Sequence, residues 1–137
     1  MELTLIDKSN YLKGLLVVAK KDNQLTEPEK KIIRNIALKL GFATDFYEDT
    51  LKGLLANKYI EEKPIRFSDK KIAESFVADG LKLAFSDQMI SGKEIDWLKA
   101  TAEENEIDAE WFSDKLKKNK EAAGFNLNSE FALFSII

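Results

Sequence analysis

The acidic side chains whose spacing most suggests chemistry form two pairs, Asp22 with Glu29 and Asp87 with Glu94. The second pair follows the first at a constant separation of 65 residues. Carboxylate oxygens are the ligands that hard divalent cations prefer, so each pair could hold such an ion. Asp79 adds a third carboxylate near the second pair, and the half of the chain from residue 68 onward has 14 acidic against 9 basic residues. If a cation binds, the second pair is therefore favoured over the first.

The same acids also suit a structural role at helix starts. Thr26 and Ser91 are placed as N-caps, because a side-chain hydroxyl there accepts a hydrogen bond from a backbone N–H of the first turn. Glu29 and Glu94 lie three residues further on, where a carboxylate reaches back to the N–H of the cap. An EF-hand calcium loop is disfavoured, since neither pair has its ligand spacing or its required glycine. The capping interpretation is favoured, and cation binding stays open beside it.

Both pairs belong to a longer internal repeat. Matching positions at the same separation are Ala19 with Ala84, Leu25 with Ile90, Ile33 with Leu98, Ala37 with Ala102, and Phe46 with Trp111. In each copy the pattern predicts that an apolar helix ends, a short polar turn follows, and a second helix begins at the cap.

Apolar residues recur three or four positions apart in six segments, which predicts six principal helices. We expect these helices to begin after Ser9 or Asn10, at Glu27, after Thr44, after Ser68, after Ser91 and after Asp108. The sequence therefore predicts a single all-α domain, a bundle of two pseudo-symmetric three-helix halves around an approximate two-fold axis. Within residues 1–137 the first repeat spans about 9–57, a crossover 58–67, the second repeat about 68–118, and an apolar tail 119–137.

Composition narrows the chemistry further. The 137 residues include no cysteine and no histidine, which excludes disulfides, Cys/His zinc sites and histidine-based catalysis. The net charge of −3 gives no general attraction to nucleic acid. No apolar stretch is long enough for a membrane span, and the N-terminus does not resemble a signal peptide, so we expect a cytoplasmic protein. No second chemical group recurs beside the acids, and we predict that the protein is not an enzyme.

The tail is too apolar to stay in water without inviting association. Its candidate anchors are Phe131, Leu133 and Phe134, and the spacing of its apolar residues fits either a helix or a strand. We predict that the tail docks on its own bundle, in the groove between the two halves. Docking on a second copy, which would make a homodimer, is the alternative.

The doubled turn resembles that of the tellurite-resistance TerB-like family, whose members are all-helical and internally duplicated. The matching residues are Ala19, Asp22, Thr26 and Glu29, then Ala84, Asp87, Ser91 and Glu94, and the resemblance covers roughly residues 9–118. The usual glycine after the aspartate is Asn23 in the first copy and Gln88 in the second. The resemblance implies a bacterial stress or tellurite-resistance role, an accessory domain, and metal association through acidic residues.

Two hypotheses about function follow. The first is a non-catalytic, stress-associated binding or interaction module with a protein partner that the sequence does not identify. The alternative is a weak divalent-metal-binding protein that uses the duplicated Asp/Glu turns. Titration with divalent cations separates the two.

Overall fold

The computed structural model describes residues 3–20, 27–42, 45, 48–49, 52, 63–85, 92–122 and 132–133. Within these ranges it has five helices and no strand: α1 (Leu5–Lys20), α2 (Glu27–Lys39), α3 (Lys70–Ala84), α4 (Gly92–Glu104) and α5 (Ala109–Ala122). The predicted all-α class is confirmed. Residues 45, 48, 49 and 52 are also helical, but the predicted third helix otherwise lies outside the described residues. None of the described helices is long and apolar enough to cross a membrane.

The helix boundaries follow the internal repeat of the sequence. The starts of α1 and α3, Leu5 and Lys70, are 65 residues apart. Helices α2 and α4 are separated by 65 residues at both their first and their last residue. The repeat detected in the sequence therefore extends to the points where the helices begin and end.

Helices α2 and α4 also end in the same way. In α2, Gly41 has a φ of 95°, and the N–H groups of Gly41 and Phe42 each donate back into the last helical turn at 3.0 Å. After α4, Glu106 has a φ of 59°. The N–H groups of Glu106 and Ile107 donate back into the last turn of α4 in the same way, at 3.1 and 2.9 Å. Both are Schellman motifs, in which a left-handed residue satisfies the carbonyl groups left open at a helix end. Glycine adopts this conformation freely, which suits Gly41 to the end of α2.

The prediction that the first helix begins after Ser9 or Asn10 is wrong. Helix α1 begins at Leu5 because Thr4 caps it: the Thr4 hydroxyl oxygen accepts from the N–H of Asp7 at 3.1 Å. The same hydroxyl donates to the Asp7 carboxylate at 2.9 Å. A Thr followed three residues later by an acid is the signal for such a start, and the sequence carries it here.

The predicted cap of the following repeat, Ser68, is also wrong. Asp69 caps α3, and its carboxylate accepts from the N–H of Lys71 at 2.7 Å. Ser68 instead donates to Asp7, through its N–H at 3.1 Å and through its hydroxyl. Burial alone would raise the pKa of Asp7, but the bonds from Ser68 and Thr4 together hold it below its usual value. The Asp7 carboxylate thus ties the start of α1 to the start of α3.

Asn105, at the end of α4, fixes the segment that leads into α3. Its side-chain oxygen accepts from the N–H of Phe67 at 2.8 Å, and its amide nitrogen donates to the carbonyl of Ile65 at 2.6 Å. It also donates to the carbonyl of Thr101 within α4 at 2.8 Å. Residues 63–67 form no helix and so lack regular helical hydrogen bonds. The side chain of Asn105 binds their backbone groups instead.

The core lies around α3, which packs against α1, α4 and α5, while α1 also packs against α2. Two glycines allow close approach. A Cβ atom placed on Gly14 of α1 would lie 2.6 Å from Cε1 of Phe76, and one on Gly80 of α3 would lie 2.5 Å from Cδ2 of Leu98. The buried face of α3 is therefore in direct contact with the backbone of α1.

The variant Gly14→Ala tests this close packing. Alanine favours a helix over glycine by about 1 kcal/mol, but its methyl group would displace the buried ring of Phe76. Overpacking of this kind costs about 1–3 kcal/mol, so we expect a lower free energy of unfolding in denaturant titrations.

Gly92→Ala is the matched control. Gly92 is also helical, and nothing lies within 4 Å of its added Cβ atom. This variant should be neutral or stabilised by up to about 1 kcal/mol. Equal stability of the two variants would show that α1 and α3 are not packed as closely as described.

Candidate functional site

The acids predicted from the sequence do not come together in the described part of the chain. Glu29 on α2 and Glu94 on α4 are both 1 % exposed. They do not form a group with Asp79, since no group of three or more His, Cys, Asp or Glu residues that could hold a metal ion occurs among the described residues. Asp22 and Asp87 lie outside the described residues.

The predicted caps lie at the right places in the chain. Helices α2 and α4 begin at the residues that directly follow Thr26 and Ser91. Both hydroxyl-bearing residues lie outside the described residues, as do Phe131 and Phe134 of the tail. The capping roles therefore stay predictions.

The described residues do contain one buried polar cluster, and it centres on Asp79 of α3. The side chain of Asp79 is 1 % exposed, in a helix face whose other buried residues are apolar or small apart from Ser75. Its carboxylate accepts a hydrogen bond from the hydroxyl of Tyr11 on α1. It also accepts from the backbone N–H groups of Ala132 at 2.7 Å and Leu133 at 3.1 Å. Three parts of the chain that are distant in sequence thus meet at one carboxylate.

Tyr11 is held in a fixed position by its neighbours. Its ring is fully buried and makes edge contacts with Phe76, at 5.4 Å between centroids, and with Phe67, at 6.1 Å. Its hydroxyl also lies 2.9 Å from the hydroxyl of Ser75. Because the single Tyr11 proton is donated to Asp79, the bond with Ser75 has Ser75 as its donor. The ring packing thus aims the hydroxyl at the carboxylate.

The electrostatics of the cluster disfavour acid–base catalysis by Tyr11. Burial raises its pKa well above the usual 10.0, and the charge and hydrogen bond of Asp79 raise it further. Burial also raises the pKa of Asp79 to about 6, although the bonds from Tyr11, Ala132 and Leu133 and the charge of Lys82 oppose this. Tyr11 therefore keeps its proton and acts as a hydrogen-bond donor.

The two amides that bind Asp79 belong to adjacent residues of the tail. Leu133 is fully buried and has helical conformation, while Ala132 immediately before it is in a turn and half-buried. Asp79 on α3 supplies the acceptor for both of their N–H groups. A short segment of the tail is thus held by one buried side chain and two backbone bonds.

A groove continues from this segment along α3 and α5. It has a volume of about 280 Å³, and its lining includes Lys71, Ser75 and Ala132. On the α5 side, the Lys115 ammonium lies 5.5 Å from the ring centroid of Trp111. We call this surface the tail groove; Asp79 does not line it, but its carboxylate accepts from the N–H of Ala132, which does.

The cluster occurs in only one copy of the repeat. At the same separation of 65 residues, the position of Tyr11 corresponds to Phe76, and that of Asp79 corresponds to Gly14. Phe76 reaches Gly14 just as Tyr11 reaches Asp79, but a phenyl ring has no hydroxyl and a glycine has no acceptor side chain. The two equivalent contacts between α1 and α3 therefore differ in polarity. The contact of Tyr11 with Asp79 is polar, and that of Phe76 with Gly14 is apolar.

Sequence reasoning assigned Asp79 to a candidate cation site and missed Tyr11 and Ser75. The signal that could have indicated otherwise is the position of Asp79 in the apolar stripe of α3, between Val77 and Gly80. An acid in such a stripe must be buried with hydrogen-bond donors. Which donors these are cannot be read from the stripe, because they come from other segments.

The raised pKa of Asp79 makes a testable contribution to stability. Since the folded chain binds this proton more tightly than the unfolded chain, the contribution is complete below about pH 3.8 and is lost as the pH rises through about 6. The quantity to follow is the difference between the free energy of unfolding of the unmodified protein and that of Asp79→Asn. At about 1.4 kcal/mol per pH unit, this difference should fall by roughly 3 kcal/mol between about pH 4 and 7. Urea titrations at each pH measure the difference.

Asp7→Asn is the control for this measurement. The pKa of Asp7 is lowered, so its contribution is complete above about pH 3.8 and is lost only below it. The corresponding difference for Asp7→Asn should therefore stay flat over the same window. A flat profile for Asp79→Asn as well would mean that Asp79 is not a buried carboxylate in solution.

Beside the tail groove, the Asp79 carboxylate is paired with the Tyr11 hydroxyl and with the backbone amides of Ala132 and Leu133. Comparisons with known protein families, with curated proteins and with solved structures find no match for this chain.

Proposed function

We propose that the protein is a non-catalytic helical interaction module, TerB-like in its duplicated turns, and that the tail groove is its protein-binding face. One observation carries the proposal: the Asp79 carboxylate binds the backbone amides of a peptide segment, that of residues 132–133. Such bonds recognise a main chain, while the buried Leu133 side chain adds selectivity for an apolar residue. Because Asp79 is 1 % exposed, a partner segment would reach it by displacing residues 132–133.

The chemistry of the groove favours binding over catalysis. A nucleophile or general base must reach a substrate, but Asp79 and Tyr11 are 1 % and 0 % exposed. Tyr11 cannot lose its proton near neutral pH, because burial raises its pKa well above 10.0. Neither group therefore offers what an acid–base mechanism needs.

The proposal includes the finer architecture, two three-helix halves related by an approximate two-fold axis. In support, Tyr11 and Phe76, which occupy equivalent positions of the repeat, contact each other at 5.4 Å. Residues near a two-fold axis meet their own equivalents in this way. The shared helix boundaries and the two Schellman motifs support the same arrangement.

The alternative, a divalent-metal site at the duplicated acids, has less support. Asp79 uses its oxygens for three internal hydrogen bonds, and it forms no metal-binding group with Glu29 and Glu94. We expect the melting temperature to stay unchanged in millimolar calcium, magnesium or manganese, as measured by calorimetry. A shift that rises with cation concentration and disappears in Asp87→Asn would favour the metal site instead.

The interaction face is tested by photo-crosslinking in cells. Benzoylphenylalanine in place of Lys71, at the exposed rim of the tail groove, should form an adduct with one discrete protein. The same label in place of Lys31, on the exposed side of α2, is the matched control and should form none. The Lys71 adduct should also disappear when Asp79→Asn is added, because the groove then loses its charged acceptor.

Two results would contradict this assignment of the face. One is an adduct from the Lys31 position but none from the Lys71 position. The other is a Lys71 adduct that forms equally well with and without Asp79→Asn.

A further inference from the structure

We propose that protonation of Asp79 strengthens the docking of residues 132–133, and that the hydroxyl groups of Tyr11 and Ser75 let the carboxylate take up the proton without repacking. The proposal rests on the proposed interaction face and concerns its regulation: the face is covered at low pH and becomes more accessible as the pH rises. It follows from the series of hydrogen bonds that joins the three side chains.

In the ionised state, every described hydrogen-bond partner of the Asp79 carboxylate is a donor. These partners are the Tyr11 hydroxyl and the N–H groups of Ala132 and Leu133. Tyr11 has a single proton and gives it to Asp79, so its oxygen accepts from the Ser75 hydroxyl, 2.9 Å away. Both hydroxyl protons therefore point toward the carboxylate.

A proton added to Asp79 needs an acceptor, and the two backbone N–H groups cannot provide one. The Tyr11 oxygen can, because it already lies within hydrogen-bond distance and a phenol accepts as well as donates. Tyr11 then turns its own proton to Ser75, whose oxygen changes from donor to acceptor. Ser75 lines the tail groove, so its own proton can be directed there. The two hydroxyl protons are reversed while the heavy atoms stay in place, and Tyr11 is never ionised.

Burial decides whether the proton favours the docked or the displaced segment. With residues 132–133 in place, burial raises the pKa of Asp79 to about 6, although hydrogen bonds from Tyr11 and from the two amides oppose the rise. Displacement of the segment opens the carboxylate to water, which favours its ionised form. The docked chain therefore binds the proton more tightly. By linkage, docking is strongest at low pH and weakens as the pH rises through about 6.

The other charged groups of the neighbouring helices do not account for this titration. Tyr11 of α1 has a pKa raised well above 10.0 and stays protonated. Lys82 of α3 acts on Asp79 through its positive charge, which favours the ionised carboxylate. Glu94 of α4 and Lys115 of α5 are not among the groups that shift the pKa of Asp79. Asp79 is therefore the group of this cluster whose charge changes near pH 6.

The role of the two hydroxyl groups is tested by NMR titration of the Asp79 carboxyl carbon in the full-length chain. In Ser75→Ala the protonated state leaves one hydroxyl proton without an acceptor, whereas in the ionised state the Tyr11 proton still has Asp79. The pKa of Asp79 should therefore fall by about 0.5–1 pH unit relative to the unmodified protein. Ser75→Thr keeps the hydroxyl group and should restore the original value.

Docking itself is measured by hydrogen exchange of the Leu133 amide, expressed as a protection factor so that the intrinsic pH dependence of exchange is removed. This protection factor should fall about tenfold between about pH 5 and 7, because the docked state releases its proton over this range. In Asp79→Asn it should not change with pH. The Ile107 amide, which donates to Ala102 at 2.9 Å, is the internal control and should keep a constant protection factor.

Three results would overturn the proposal. They are a Leu133 protection factor that stays constant or rises with pH, an equal fall for Ile107, and an Asp79 pKa that Ser75→Ala leaves unchanged. The equal fall would show that the proton acts on global unfolding and not on docking. If the titrations succeed while the Lys71 label forms no adduct in cells, pH-dependent docking stands and the interaction face is wrong. If the adduct forms while the titrations fail, the face stands without this regulation.

Discussion

The burial of one carboxylate constrains the rest of this structure. Asp79 lies in the apolar face of the central helix, where an ionised group is tolerated only with donors around it. One donor comes from α1, and two come from the backbone of the tail. The three hydrogen bonds therefore join α1, α3 and residues 132–133 at one carboxylate. Removing any one donor leaves the charge less well satisfied, so these parts depend on each other.

The packing beneath this cluster explains why its geometry is tight. Gly14 leaves no side chain between α1 and Phe76, so the two helices meet closely and the aromatic rings interlock. Tyr11 and Phe76 contact each other edge to face, and the tyrosine hydroxyl can then reach only Ser75 and Asp79. The polar contact is thus positioned by apolar packing, which is rigid, and not by further polar groups.

Much of the fold follows from local sequence signals, and the cluster does not. The all-α class, the start of α2 at Glu27 and the stop at Gly41 each depend on residues within one turn of the chain. The wrong predictions for the starts of α1 and α3 also concern signals within one turn of the chain. Thr4, followed three residues later by the carboxylate of Asp7, would have identified the start of α1. Asp79 differs, because its partners lie 68 residues before it and 53 and 54 residues after it. The spacing of apolar residues along the chain does not indicate which distant groups will meet. The sequence therefore suggested a cation site for the Asp79 carboxylate.

The order of the groups along the chain has a consequence for synthesis. Tyr11 and Asp79 are both made before residues 132–133, which follow Asp79 by 53 and 54 positions. At the usual 5–20 residues per second, a nascent chain therefore carries Asp79 for roughly 3–10 s before its amide donors exist. During that interval Tyr11 is the one donor of the three that has been made, so the full set of hydrogen bonds at Asp79 can form only after synthesis reaches residues 132–133.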